Sequence, residues 1–306
     1  MHIEIIGTES LGVRGMCCLV TSGEQHILID PGVSLGYRRH GLLPHPVQVM
    51  EGRRVRKRIQ EALEYATDIV FSHYHGDHVP LNNANPYQLS FMELPATAPS
   101  ARYWGAAPDD LSEKMMHRYQ DLHELLGAQL HSGSGRSTGP LTFSPPVPHG
   151  DPLDHAGSVM MTRVELDGVV FAHGSDIQLL DERAIDILID WEPDILFAAG
   201  PPLYLDRLHT CQLETARHNA WRLLNHVDTV ILDHHLMRSC EGVLWLESLM
   251  QETGKTVHCG AAFQHRPKRL LEAEREKLYR KYPVAEGWHE NYARQLMLER
   301  AGQTAH

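Results

Sequence analysis

The reading of the chain turns on Phe71-Ser72-His73-Tyr74-His75-Gly76-Asp77-His78. An apolar, β-branched run, Ile69-Val70-Phe71, leads into it and predicts a short buried strand. Beyond the strand come three imidazoles and a carboxylate. In a tight turn at a strand end, His73 and His75 point the same way while Asp77 and His78 wrap round the far side. That offers two nitrogen donors to one cation, and an oxygen and a nitrogen donor to a neighbouring one. It is the ligand chemistry of zinc, and of iron or manganese where geometry and supply allow. Histidine makes up 22 of 306 residues, so an isolated pair such as His40 and His45 carries little weight. The block at a strand end does carry weight.

The bulk composition sets limits around that block. Hydrophobic content of 42% and charged content of 22% suit a soluble globular protein with a substantial core. A formal charge of −11 argues against a dedicated nucleic-acid binder, whose footprint would be a basic stripe. The local run Arg53-Arg54-Val55-Arg56-Lys57-Arg58 is read as the solvated face of a helix. The cysteines are odd in number and lack metal-type spacing. Cys17-Cys18 lie in an apolar strand as core thiols, which suggests a reducing compartment. No signal peptide or membrane span is evident, so a cytoplasmic location is expected. There is no Gly-rich phosphate loop, Gly-x-Ser-x-Gly elbow or Cys-His nucleophile pair, so metals are expected to carry the chemistry.

Along the chain, residues 2–7, 14–21 and 25–30 read as a meander of strands ending at Asp30. A Gly/Pro/His-rich loop at 33–50 and a helix at about 51–66 precede the strand at 68–71. The proline-punctuated stretch at about 79–140, with a helix at about 109–127, is read as a loop-and-helix insertion that walls the site within a single domain of 1–306. A hairpin from Val159-Met160-Met161 to Val169-Val170-Phe171 follows. Helices are then expected at about 181–190, 211–226, 241–253 and 267–281, with strands at 194–199, 229–232 and 255–258. The last of these helices could pack internally or against a second subunit, leaving monomer and homo-oligomer both open.

The His-x-His-x-Asp-His block resembles the signature of the metallo-β-lactamase superfamily, and further positions of that pattern occur downstream in order. Asp30, in Ile27-Leu28-Ile29-Asp30-Pro31-Gly32, is similar to the strand-end aspartate that supports the site from outside the ligand shell. His149, in Pro146-Val147-Pro148-His149-Gly150, is similar to the third histidine of the first metal site. Asp176, in His173-Gly174-Ser175-Asp176, is similar to the bridging carboxylate. His234 or His235, in Leu232-Asp233-His234-His235, matches the last histidine, with His234 favoured because it directly follows the strand-terminal Asp233.

A narrower resemblance covers nearly the whole chain. Asp30-Pro31-Gly32-Val33-Ser34-Leu35-Gly36, Arg38-Arg39-His40-Gly41-Leu42, Ser175-Asp176-Ile177-Gln178 and Gly200-Pro201-Pro202-Leu203-Tyr204-Leu205 resemble a mainly archaeal family of predicted metallo-hydrolases with no agreed substrate.

The resemblance implies an α/β fold, the four-layer αβ/βα sandwich. It implies two Zn²⁺ ions, with Mn²⁺ or Fe as alternatives. His73, His75 and His149 would form the first site, Asp77, His78 and His234 or His235 the second, with Asp176 bridging. A hydroxide bridging the metals would attack the substrate, Asp77 would accept its proton, and Asp30 would orient a ligand. Arg38 and Arg39 are candidate phosphate contacts, and Tyr204 is a candidate substrate contact. The expected activity is hydrolysis of a small phosphodiester or other phosphorylated compound. A lactone or thioester acyl hydrolase, and an iron-dependent oxidoreductase resembling persulfide dioxygenases, are the alternatives on the same fold.

Overall fold

Strands β1 (His2–Gly7), β2 (Cys17–Ser22) and β3 (Gln25–Ile29) form the antiparallel meander that the opening sequence predicts. Cys17 and Cys18 are buried on β2. The computed structural model describes residues 1–95, 101–109, 111–152, 157–205 and 208–303. After the meander the sheet continues in parallel through β4 (Asp68–Phe71), β5 (Arg102–Gly105) and β6 (Leu130–Ser132). The stretch 79–140 therefore supplies two strands of the first sheet, where loops and a helix were expected. β5 is only four residues long, and period-2 patterning cannot be read over so short a run.

Helix α1 (Pro46–Tyr65) packs on β1 and β3. It starts at Pro46 rather than near 51. The His45 ring accepts from the Val47 amide at 3.2 Å, and the Gln48 side chain accepts from the His45 amide at 3.0 Å. With Pro46 in the first turn this is a capping box built on histidine, a residue outside the usual capping set. The arginines of the basic run on α1 are engaged in ion pairs: Arg53 with Glu299 at 3.1 Å, Arg54 with Glu51 at 2.5 Å, Arg56 with Glu93 at 3.6 Å and Arg58 with Glu4 at 2.6 Å. Helix α2 (Glu113–Leu126) connects β5 to β6.

The second sheet contains β7 (Ser137–Thr138) and β8 (Leu141–Phe143). A separate short ladder joins β9 (Val147–Pro148) to β10 (Ser158–Val159). The hairpin of β11 (Thr162–Leu166) and β12 (Val169–Ser175) follows, so Met160 and Met161 lie before the strand expected to hold them. Then come β13 (Ile195–Ala198), β14 (Thr229–Leu232) and β15 (Val257–His258), all parallel to β12. The order across this sheet is β15-β14-β13-β12-β11-β8-β7. Helix α3 (Glu182–Asp190) follows β12, and α4 (Thr210–His226) and α5 (Cys240–Thr253) connect the parallel strands. They pack as α4 on β14 and α5 on β15. Two sheets, each with helices on its outer face, make the four-layer αβ/βα sandwich of the metallo-β-lactamase type.

The C-terminal part departs from expectation. After the short helix α6 (Gly260–Phe263), the helix predicted over 267–281 forms only as α7 (Arg275–Lys281). A further helix, α8 (Trp288–Gln303), packs a narrow stripe of Trp288, Tyr292 and Leu296 on the core, while Met297 and Leu298 are exposed on it. Ion pairs and hydrogen bonds add to this: Arg300 to Glu93 at 2.6 Å, and the Tyr292 hydroxyl accepting from Arg56 at 2.7 Å. Among the described residues no helix is long and apolar enough to cross a membrane.

Candidate metal centre

The site lies where strands of the two sheets end. Asp30 follows β3, His73 lies just beyond β4, His149 follows β9, Asp176 follows β12 and His234 lies just beyond β14. Three of these strand ends turn through the left-handed region at residues other than glycine: Asp30 at φ 50°, Ser175 at φ 54° and His234 at φ 23°. Such backbone costs free energy and persists where surrounding contacts fix it, as at functional sites. Asp30 shows what fixes it. Its Oδ1 accepts the Ser72 amide at 2.8 Å. Its Oδ2 accepts the Ser72 hydroxyl at 2.7 Å and faces His78 Nδ1 at 2.8 Å. The Ser175 hydroxyl also donates to Oδ2 at 3.3 Å, tying the two sheets together beneath the centre.

Asp176 divides the candidate ligands into two groups. Around its Oδ2 lie His149 Nε2 at 3.0 Å, His73 Nε2 at 3.4 Å, His235 Nε2 at 3.4 Å and His75 Nδ1 at 3.8 Å. Around its Oδ1 lie His78 Nε2 at 3.1 Å and His234 Nε2 at 3.2 Å, and Asp77 Oδ2 stands 3.6 Å from that same nitrogen of His234. Ligand spacing is met by His73, His75, His149 and Asp176, by Asp77, His78 and His234, and by Asp176, His234 and His235. Both His234 and His235 thus face the bridging position, from opposite groups.

In most of these rings the other nitrogen is already engaged. His73 Nδ1 meets the Ser72 hydroxyl at 2.9 Å, His149 Nδ1 the Gln178 amide at 3.2 Å, and His235 Nδ1 the Tyr204 hydroxyl at 3.1 Å. His78 Nδ1 meets Asp30, and His234 Nδ1 meets Glu9 Oε2 at 2.6 Å. Partners of this kind orient imidazole ligands and aim the free nitrogen inward. At the centre, His78 Nε2, His235 Nε2 and Asp176 Oδ1 are buried with no hydrogen-bond partner. Buried polar atoms are rarely left so, and converging lone pairs of N and O donors are what a cation satisfies. The residues fit a metal centre.

The electrostatics agree. Burial opposes charge on Asp176, but His234, His78 and His235 hold its carboxyl well below the ordinary carboxylate range. Burial lowers His73 to about 3 and also lowers His75 and His235, keeping these rings in the neutral form that binds metal. Burial pulls His78 and His234 down too, but Asp176 and Asp30 beside one, and Asp176 and Glu9 beside the other, outweigh it. Both are raised, His234 to about 9. These carboxylates draw positive charge to the point where the second group converges.

The remaining expected residues divide. Arg39 comes to the rim, its guanidinium 5.2 Å from the centre of the Tyr204 ring. Its neighbour Arg38 is exposed and donates to the Gly41 carbonyl of its own loop at 3.1 Å. Tyr204 bonds His235 and accepts from Arg238 Nη1 at 2.9 Å. Burial raises its hydroxyl pKa, against the pull of Arg238 and Arg14. Tyr74, between two candidate ligands, points away and donates to the Ala106 carbonyl at 2.6 Å. His173 also turns away, meeting the Met16 carbonyl at 2.9 Å.

Several residues of the site carry no sequence signature. Glu9 sits in a single 3-10 turn, 225 residues from His234. Buried Arg238 donates to Glu9 at 2.8 Å and places Nη2 3.1 Å from His234 Nε2. Arg118, on α2, donates to the Tyr74 carbonyl at 3.1 Å and flanks the metal block. Asp233 accepts from Thr8 and Ser10 at 2.8 and 3.0 Å and from Gly260 at 2.7 Å, fixing the turn that carries Glu9. Ser175 and Gln178, by contrast, flank Asp176 and were visible as neighbours of a motif.

No family model matches the chain. A UPF0282 protein of Methanosarcina mazei is 46% identical over 292 residues, spanning 95% of this chain and 96% of the relative. The chain belongs to the UPF0282 family. Its UPF0282 relatives in Pyrococcus abyssi and Thermococcus kodakarensis are each 31% identical over 290 residues, 92% of this chain and 93% and 96% of theirs. Among solved structures the chain is similar to an isothiocyanate hydrolase from Delia radicum gut bacteria, at 15% identity and TM-score 0.49, over 81% of this chain and 95% of that one. It is also similar to Zn(2+)-bound PqqB from Methylobacterium extorquens, at 11% identity and TM-score 0.43, over 85% and 98%. These structural likenesses are long but remote.

Proposed function

We propose that the chain is a metal-dependent hydrolase that holds two zinc ions and cleaves a small phosphodiester or another phosphorylated compound. The observation that carries this reading is the division at Asp176, whose two oxygens face separate groups of inward-aimed donors. His73, His75 and His149 would hold the first ion and Asp77, His78 and His234 the second, with Asp176 shared. Nitrogen and oxygen donors of this kind suit zinc, and manganese or iron less closely. When bound, the ions supply a water of lowered pKa and polarise the bond to be cleaved.

The chain's own residues do the rest. Asp30, Ser72, Glu9 and Gln178 hold the rings in place. Asp77, 18% exposed, is the candidate carboxylate open to the substrate side and takes up a proton there. With His235 Nε2 turned to the Asp176 carboxylate, that nitrogen carries the ring proton, so Nδ1 accepts from the Tyr204 hydroxyl while Arg238 Nη1 donates to the Tyr204 oxygen. Tyr204 is thereby fixed at the edge of the site, where its ring can contact the substrate.

The test is elemental analysis of the purified protein with hydrolysis of an aryl phosphodiester and an aryl ester. Two zinc or manganese per chain and metal-dependent turnover of the phosphodiester are expected. Turnover of the ester alone would move the assignment to acyl substrates. One iron per chain without hydrolysis would sink it and favour oxygen chemistry.

A further inference from the structure

Beside the metal centre, four guanidinium groups gather around the loop of residues 36–42 and Tyr204. Arg39 belongs to the loop, and its Nη2 donates to the Arg238 carbonyl at 3.4 Å. The guanidinium of Arg238 lies 5.1 Å from the centre of the same Tyr204 ring that Arg39 approaches. Arg14 packs against Gly36, where a Cβ would overlap its guanidinium. Arg275, on α7, donates Nη1 to the Leu42 carbonyl at 3.0 Å, and that carbonyl also accepts the Arg39 amide at 3.0 Å.

Two buried carboxylates balance this group. Glu9 accepts from Arg238 at 2.8 Å, and Glu272 accepts from Arg14 Nε at 2.7 Å. Glu241 also faces Arg39, but it is exposed to solvent. Asp77 also faces Arg14 and Arg238, so the four guanidinium groups meet three inner carboxylates besides Glu241, and a guanidinium does not shed its charge to relieve burial. Two guanidinium nitrogens, Arg39 Nε and Arg275 Nη2, are buried with no hydrogen-bond partner. Leaving a buried charged donor unpaired is costly unless a ligand completes it.

We propose that this cluster is an anion subsite for a phosphate group of the substrate, with Arg39 as its direct contact. Arg238, Arg14 and Arg275 are positioning residues that hold the positive field around it. This deepens the hydrolase reading and takes from it that the substrate lies over Asp77 and Asp176. Planar guanidinium groups match tetrahedral phosphate oxygens in pairs, which makes phosphate the better guest than a single carboxylate. The subsite also predicts which compounds the enzyme prefers: those that carry a charged phosphate over neutral lactones or esters.

The test is titration of inorganic phosphate, with acetate as the comparison anion. It uses the intact protein as purified and after chelation, in the wild type, Arg39→Ala and Arg39→Lys. Arg39 is half-buried on a loop, so both variants are expected to fold, and circular dichroism checks this. Expected is phosphate binding at least tenfold tighter than acetate that survives chelation, falls tenfold or more in Arg39→Ala and recovers in part in Arg39→Lys. Phosphate affinity that is equal in wild type and Arg39→Ala, or that disappears with the metal, overturns the subsite. Metal-dependent hydrolysis with an unchanged Arg39→Ala would leave the hydrolase standing and remove the subsite. Phosphate held through Arg39 by a chain that carries no metal would do the reverse.

Discussion

The two sides of Asp176 are built differently. On the Oδ2 side the rings are backed by neutral groups: His73 by a serine hydroxyl, His149 by a glutamine amide and His235 by a tyrosine hydroxyl. On the Oδ1 side they are backed by charge: His78 by Asp30 and His234 by Glu9. A carboxylate partner makes an imidazole a stronger donor, but it also makes the ring a better competitor for protons. Arg238 stands directly at the second side, with Nη2 3.1 Å from His234 Nε2, and meets the first through Tyr204. One group is therefore a set of donors backed by neutral groups and open to solvent at His75. The other is a charged set whose fit to a cation depends on the balance between Glu9 and Arg238.

The largest expected effect erases the comparison. Asp176→Ala removes the shared carboxylate, so both metals and all turnover should fall to background, read by elemental analysis and by rate. A change to one side should separate the two. His149→Ala is expected to empty the first group while leaving metal at the second, and His234→Ala the reverse. Loss of both metals in either variant would mean that the groups load as a unit.

Stripping metal from the wild type should also destabilise it. At a concentration 100 times the dissociation constant, a bound ion contributes about 2.7 kcal/mol. A thermal melt should therefore shift down on chelation and recover on adding zinc. Unchanged melting would argue against a native metal site.

Changes behind the ligands are expected to be smaller and uneven. Glu9→Gln should weaken metal at the second side by about 10–100-fold, as loss of a charged partner commonly does. Gln178→Ala, which removes a neutral partner, should cost less than Glu9→Gln. Equal losses in metal titrations would mean that the charge behind the ring does not matter. Smallest of all is Arg38→Ala, for which less than a twofold change in rate is expected.

Legibility followed the same division. The first set of donors and the metal block could be read because ligation demands particular residue types, and His73, His75, Asp77 and His78 stand together after an unmistakable strand. Glu9 could not, since one glutamate in a short turn has no pattern and gains meaning when Asp233 fastens that turn beside His234. Arg38 and Arg39 were indistinguishable as neighbours. The loop's conformation turns one to solvent and the other to Tyr204. The start of α1 was hidden because histidine rarely caps a helix, and α8 because its apolar stripe of Trp288, Tyr292 and Leu296 is narrow and is interleaved with charged residues.

By itself the sequence pointed to the strands that lead into Asp30, His73, Asp176 and His234 and to the candidate ligands at their ends. Alternating apolar runs and metal-type donors are local facts, written in consecutive residues. Only the tertiary structure decided how those donors divide around Asp176, which groups back each ring, and that Arg39 and Arg238 meet over Tyr204 while Arg14 and Arg275 pack on the loop of residues 36–42. Those are questions of which loops come together. Burial then sets the value of each charge by removing the water that would otherwise screen it.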